Sequence, residues 1–186
     1  MPEFADAPEV DALIARLYDA FDEPNDLIDA PRFSPDREEF VREVLRYTRD
    51  TLPDSLVDLL AWRLVTTVGT AQTLRHYLPR IFRDALESGG LDTTPWEVFA
   101  DHVSAADFSG WSIERRRLTL QAFKFWIAAD LRIEQDLSAR DHPDLAAAAL
   151  ATTTTMHRLA GLVERRAGMD SAIAFLLAAA EDLDDH

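Results

Sequence analysis

The chain has 186 residues, no cysteine and a net charge of −15, from 34 acidic and 19 basic side chains. That length fits one ordinary domain able to bury about two-thirds of its unfolded surface, and the missing thiols exclude disulfides, thiolate metal sites and cysteine nucleophiles. The charge repels phosphate backbones and anionic lipids, so neither nucleic acid nor a membrane is an expected partner, whereas a basic protein is.

The first helical pattern covers residues 8–22. Asp6 and Pro8 supply a cap and an N1-type proline, and Val10, Leu13, Ile14, Leu17 and Phe21 recur at helical spacing. Glu23-Pro24-Asn25-Asp26 ends it. Ser34-Pro35 starts a second helix, with Phe40, Val41, Val44, Leu45 and Thr48 on its inner face. Pro53-Asp54-Ser55 starts a third, in which Leu56, Leu59, Leu60 and Leu64 keep phase; Val57, Ala61 and Val65 widen the stripe, so more burial is expected here than in the first two. Gly69 stops it and Thr70 caps a fourth. Leu74, Tyr77, Leu78, Ile81, Phe82 and Ala85 hold one phase across Pro79, which predicts one kinked helix running to the Gly89-Gly90 stop.

Thr94-Pro95 opens a fifth helix, with Trp96, Phe99, Ala100 and Val103 inward, and Ser109-Gly110 ends it. Ser112 caps a sixth. From Leu118 to Ile133 this helix is apolar almost all round, with only Arg117, Gln121 and Lys124 wet, as a central helix requires. Asp141-His142-Pro143 begins a seventh segment, either one long helix or two short ones, because the run Thr152–Thr155 is β-branched. Met156, Leu159, Leu162 and Val163 resume a stripe that Gly168 ends. Asp170 caps a last helix with Ile173, Leu176, Leu177 and Ala180 inward. No segment alternates as a strand does. The expected fold is therefore all-α: one domain over 1–186 with 1–7 and 182–186 frayed, built of seven to nine helices as a globular bundle or a short array of helix pairs.

Acidity is uneven. Residues 1–60 carry a net −10, residues 61–140 none, and residues 141–186 a net −5. A second reading of this acidity is base composition, since arginine outnumbers lysine by 18 to 1. The N-terminus lacks the basic start and apolar run of a signal peptide, and no apolar stretch approaches the ~20 residues that span a bilayer. A cytoplasmic location is expected.

No phosphate-cradling glycine loop, zinc-protease helix motif, nucleophile elbow or calcium loop occurs. The five histidines lack ligand-type neighbours at metal-site spacing, so no metal and no cofactor is expected. Carboxylate pairs such as Glu38-Glu39 sit where they simply favour helix ends. The one local contrast is basic: His76, Arg80 and Arg83 share a helix face, and Arg115-Arg116-Arg117 opens the sixth helix. His76, Arg80, Arg83 and Arg115 are thus candidates for an anion or ligand site, or for internal neutralisation of the acidic first helices. Trp62, Trp96 and Trp126 follow apolar spacing and are expected in the core. Trp111, in a Ser-Gly-Trp-Ser turn, is expected nearest the surface, as a binding anchor or a staple onto the sixth helix.

The segments Thr66-Thr67-Val68-Gly69-Thr70 and Arg75-His76-Tyr77-Leu78-Pro79-Arg80, with Trp111 and Glu114-Arg115 beyond them, resemble a family of small uncharacterised bacterial helical proteins. In that family a T-T-x-G-T turn precedes an R-H-[FY]-L-P-R helix and a later W-x-x-x-E-R helix. The resemblance covers about a third of the chain; it implies a helical fold and brings no activity.

Three functional expectations follow. One is a non-catalytic interaction protein, immunity- or antitoxin-like or a regulatory adaptor, whose Asp11, Asp19, Asp22, Glu39 and Glu43, with Trp111, meet a basic protein. The second is an anion- or small-molecule-binding domain, possible also as an enzyme, around His76 and Arg80. The third is a subunit of an oligomer that uses the apolar stretch Met156–Leu183.

Overall fold

The computed structural model describes residues 7–27, 35–64, 69–88, 91, 94–141 and 170–184. The described residues form seven α-helices and no strand: α1 (Ala7–Ala20), α2 (Pro35–Val44), α3 (Asp54–Arg63), α4 (Ala71–Ser88), α5 (Trp96–Ala105), α6 (Ile113–Asp141) and α7 (Asp170–Asp184). Short 3-10 turns at Arg49–Thr51 and Phe108–Gly110 precede α3 and α6. The all-α expectation holds among the described residues. The seventh segment, with Met156–Val163, lies outside the described residues.

Local chemistry sets most starts. Thr70 caps α4 through its Oγ1, which accepts the N–H of Gln72 at 3.1 Å and of Thr73 at 3.2 Å. Thr73 returns the contact, its Oγ1 accepting the Thr70 N–H at 3.0 Å, so two of the orphan amides of the helix start are satisfied reciprocally. Ser112 caps α6 by accepting the Arg115 N–H at 3.3 Å. Before α5 the Thr94 hydroxyl donates to the Asp58 carbonyl of α3 at 2.9 Å, and Pro95 occupies the cap. Pro79 lies within an unbroken α4, as its continuous apolar phase requires.

The central layer is α1, α4 and α6, each packed on the other two. Leu13, Leu17 and Phe21 of the first segment meet Leu74, Leu78 and Ile81 of α4 in one core. Phe82, Phe99, Phe123 and Trp126 join α4, α5 and α6, with Phe82 edge-on to the other three at 5.0–6.2 Å. Each such pair adds about 0.5–1.5 kcal/mol beyond its burial. α3 lies against α4 and α5, and α7 against α5 and α6. α6 is the central helix expected, exposing Arg117 and Lys124 while Leu118, Ala122, Phe123, Trp126 and Ile127 are buried.

Four expectations need correction. α2 ends at Val44, so Leu45 is exposed and Thr48 instead opens the 3-10 turn. α3 ends at Arg63 and buries Val57, Leu60, Ala61 and Leu64; Leu59 and Trp62 point outward, which leaves this helix less covered than expected and takes Trp62 out of the core. α7 buries Ala172, Leu176, Ala179 and Leu183; of the expected stripe Leu176 is buried, Leu177 and Ala180 are only half-buried, and the Ile173 side chain lies outside the described residues. It also continues through Asp184 where fraying was expected: Leu183 is buried, and Asp182 accepts from the buried Arg116 of α6.

Candidate functional site

The chain leaving α1 crosses the N-terminal half of α4 as an anchored strap, Phe21–Leu27. Asp26 accepts the hydroxyls of both Thr70 and Thr73. Asn25 closes a local turn by accepting the Leu27 N–H at 3.0 Å and donates its Nδ2 to the Tyr77 hydroxyl at 2.8 Å. Burial pushes that phenol up to about 12, although the Asn25 contact opposes the shift. Gln72 Nε2 donates to the Pro24 carbonyl at 3.1 Å. Gly69 is required beneath this network, because a Cβ there would approach the Thr73 Cβ to 2.9 Å.

Glu23 is the hub of the strap. Its Oε1 accepts from Arg115 Nη1 at 2.5 Å and from Arg75 Nε at 3.2 Å, while its backbone carbonyl accepts from His76 Nδ1 at 2.6 Å. A carbonyl can only accept, so Nδ1 carries the proton. Arg115 also donates its Nε to the Ala20 carbonyl at 2.7 Å, where the negative end of the α1 dipole favours a cation, and lies 5.0 Å from the Phe21 ring. From the other side Arg49 donates to the Phe21 carbonyl at 2.7 Å and to the His76 carbonyl at 3.3 Å. Trp111 seals the strap. It packs edge-on to Phe21 at 5.3 Å, donates its indole N–H to the Ala106 carbonyl at 3.2 Å, and is only 7% exposed. Of the two roles expected at Trp111, its burial against Phe21 and Phe108 removes the surface anchor.

Arg80 is engaged elsewhere. Its Nη2 donates to the Leu52 carbonyl at 3.0 Å and to Asp54 Oδ1 at 2.5 Å, and its Nη1 lies 3.6 Å from Asp84. Two carboxylates thus share one buried guanidinium across the α3–α4 contact. Burial, reinforced by Asp54 and only partly opposed by Arg80, pushes the Asp84 carboxyl up to about 6. Arg83 pairs with Glu87 at 2.9 Å on the open face of α4. At the α3–α5 contact, His102 Nδ1 donates to the Ala61 carbonyl at 3.0 Å, and burial lowers its pKa.

The four cationic candidates therefore do not converge. His76 and Arg115 meet at the strap, Arg80 at the start of α3, and Arg83 on a local pair. The acidic candidates behave differently. Asp11, Asp19, Asp22 and Glu39 are exposed, and among the described residues no ion pair reaches them. Glu43 is half-buried and pairs with Arg46 on the next turn. Among the described residues no cluster of three or more potential ligands could hold a metal, and no helix is long and apolar enough to cross a membrane.

No protein-family model matches the chain, and no curated protein or solved structure matches it. The residues that sequence reading passed over are Glu23, Asn25 and Asp26, taken only as a helix end, together with Arg49. Their one sequence signal is that a Glu-Pro-Asn-Asp turn carries more polar side chains than a helix stop needs.

Proposed function

We propose that this chain is a non-catalytic, acidic interaction protein that binds a basic protein partner, as an immunity- or antitoxin-like inhibitor or a regulatory adaptor does. One observation carries the reading: charge is sorted by direction. Of the cations that could attract an anion, His76, Arg75, Arg80 and Arg115 are turned onto Glu23, Asp54, Asp84 and backbone carbonyls, and Arg83 is held on the open face by Glu87. The carboxylates Asp11 and Asp19 of α1, Asp22 just beyond it and Glu39 of α2 face solvent. A surface so sorted presents a negative potential to a cationic partner, raising its association rate and selecting against acidic competitors. The same sorting withdraws support from an anion site shared by His76 and Arg80, because His76 Nδ1 is held by the Glu23 carbonyl and Arg80 Nη2 by the Leu52 carbonyl and Asp54.

The test uses tagged wild type and a variant carrying Asp11→Asn, Asp19→Asn, Asp22→Asn and Glu39→Gln as baits in lysate of the native host. One stoichiometric basic protein should remain on the wild type at low salt and leave in about 0.5 M NaCl, where screening is nearly complete. The variant should melt normally and lose that protein. Equal retention by both baits, or no retention by either, would overturn the reading.

A further inference from the structure

Five large apolar side chains are exposed among the described residues, and four of them, Leu45, Tyr47, Leu59 and Trp62, lie on α3 or the chain just after α2. Leu59 and Trp62 stand one turn apart on one face of α3, 39% and 49% exposed. The other three tryptophans are buried. Single exposed apolar residues are ordinary, but a half-exposed tryptophan beside a leucine is the composition of an interface centre.

Carboxylates flank this face on both neighbouring helices. The Arg63 guanidinium sits 4.6 Å from the Phe40 ring, which sets α2 beside the end of α3, with Glu39 exposed next to Phe40. The contact of His102 with the Ala61 carbonyl sets α5 on the opposite side, with exposed Asp101 next to His102. An apolar centre with acidic flanks matches a segment of the inverse pattern.

We infer that the Leu59–Trp62 face of α3 is a docking surface for a basic amphipathic segment of a protein partner. One large apolar side chain packs against Trp62 and Leu59, and lysines or arginines on either side reach Glu39 and Asp101. A second copy of the chain fits poorly, because a two-fold contact across this face would bring acidic flank onto acidic flank. An anionic lipid surface is repelled. This assignment rests on the acidic-partner reading and adds to it the place of contact.

The probe is a synthetic amphipathic peptide of leucine and lysine, with its lysine-to-glutamate counterpart as control. Trp62 is the one solvent-accessible tryptophan, so acrylamide quenching of tryptophan emission reports on it alone. Binding of the lysine peptide should protect the quenchable fraction, and the glutamate peptide should not bind. Trp62→Ala, at an exposed position that leaves the fold intact by circular dichroism, should weaken binding about tenfold or more. Glu39→Gln with Asp101→Asn should weaken it at low salt and flatten its salt dependence. A bound peptide that leaves Trp62 quenchable, Trp62→Ala binding unchanged, or no binding at all would each overturn the assignment. The broader reading fails separately: a host protein captured by charge alone and retained on Trp62→Ala would leave it standing while removing this surface.

Discussion

Asp84 shows how a single side chain can work against the fold that holds it. Its carboxyl is pushed up to about 6 by burial and by Asp54, more than Arg80 lowers it. The folded protein therefore holds this proton more tightly than the unfolded chain, whose value is near 3.8. Stability from this group is fully present below the unfolded value and is lost as pH rises from there through about 6. Above that window the ionised carboxylate is a standing cost. Asp84→Asn mimics the protonated form, so it should raise stability at pH 7.5 by about 1–2 kcal/mol, less than the full conversion of about 1.4 kcal/mol per pH unit. At pH 4 the variant and wild type should differ little. Urea denaturation at both values checks this, and a difference that does not vary with pH would refute it. Gly69 is the opposite case, a residue whose lack of a side chain is what the neighbouring Thr73 needs.

Among the elements, the strap between α1 and α4 is tied by contacts of unequal weight. Arg115 makes two donations, covers Phe21 and is partly buried with Glu23, whereas the Arg83–Glu87 pair is about half exposed on both sides. Arg115→Ala leaves the Ala20 carbonyl and part of the Glu23 charge uncompensated, and should cost about 2 kcal/mol. Arg83→Ala should cost under about 0.5 kcal/mol, as exposed pairs do. Hydrogen exchange adds the location: with Arg115→Ala the Leu27 amide should exchange faster while the middle of α6 keeps its protection. Equal costs for the two variants would show that the strap is held by its hydroxyl and Asn25 contacts. The same elements show what the sequence could disclose. Caps at Thr70 and Ser112, the run through Pro79 and the inner faces of α1 and α5 depend on neighbours within a turn, and they were legible. Glu23 meets Arg75 and Arg115 across 52 and 92 positions, and no local pattern encodes such a pairing. Trp62 follows the apolar spacing of α3, but that helix is apolar on two faces, and periodicity alone does not say which one the neighbours cover. In α7 the run Ala-Ile-Ala-Phe-Leu-Leu-Ala-Ala-Ala offers too little polar contrast to orient its stripe.

For the molecule as a whole, the decisive quantity is a net charge of −15, with the carboxylates at Asp11, Asp19, Asp22 and Glu39 exposed and Arg75, Arg80, Arg115 and Arg116 turned onto internal partners. Repulsion among exposed carboxylates opposes compaction, and salt weakens it, since the Debye length falls from about 30 Å at 0.01 M to about 8 Å at 0.15 M. The inward pairs at Glu23 and between Arg80 and Asp84 are sheltered from ions and lose less. Sodium chloride raised over that range should therefore increase stability, and a gain of about 1 kcal/mol corresponds to roughly 2–4 °C in Tm for a chain of this size. The variant neutralised at Asp11, Asp19, Asp22 and Glu39 should begin with a higher Tm at low salt and respond less to added salt. Thermal melts across the series decide between two pictures. A rising Tm identifies the exposed carboxylates as a load on the free protein, one that a cationic partner would relieve on binding. A falling Tm would mean that the ion pairs outweigh the repulsion, and the outward acidity would no longer single out a surface held ready for a partner.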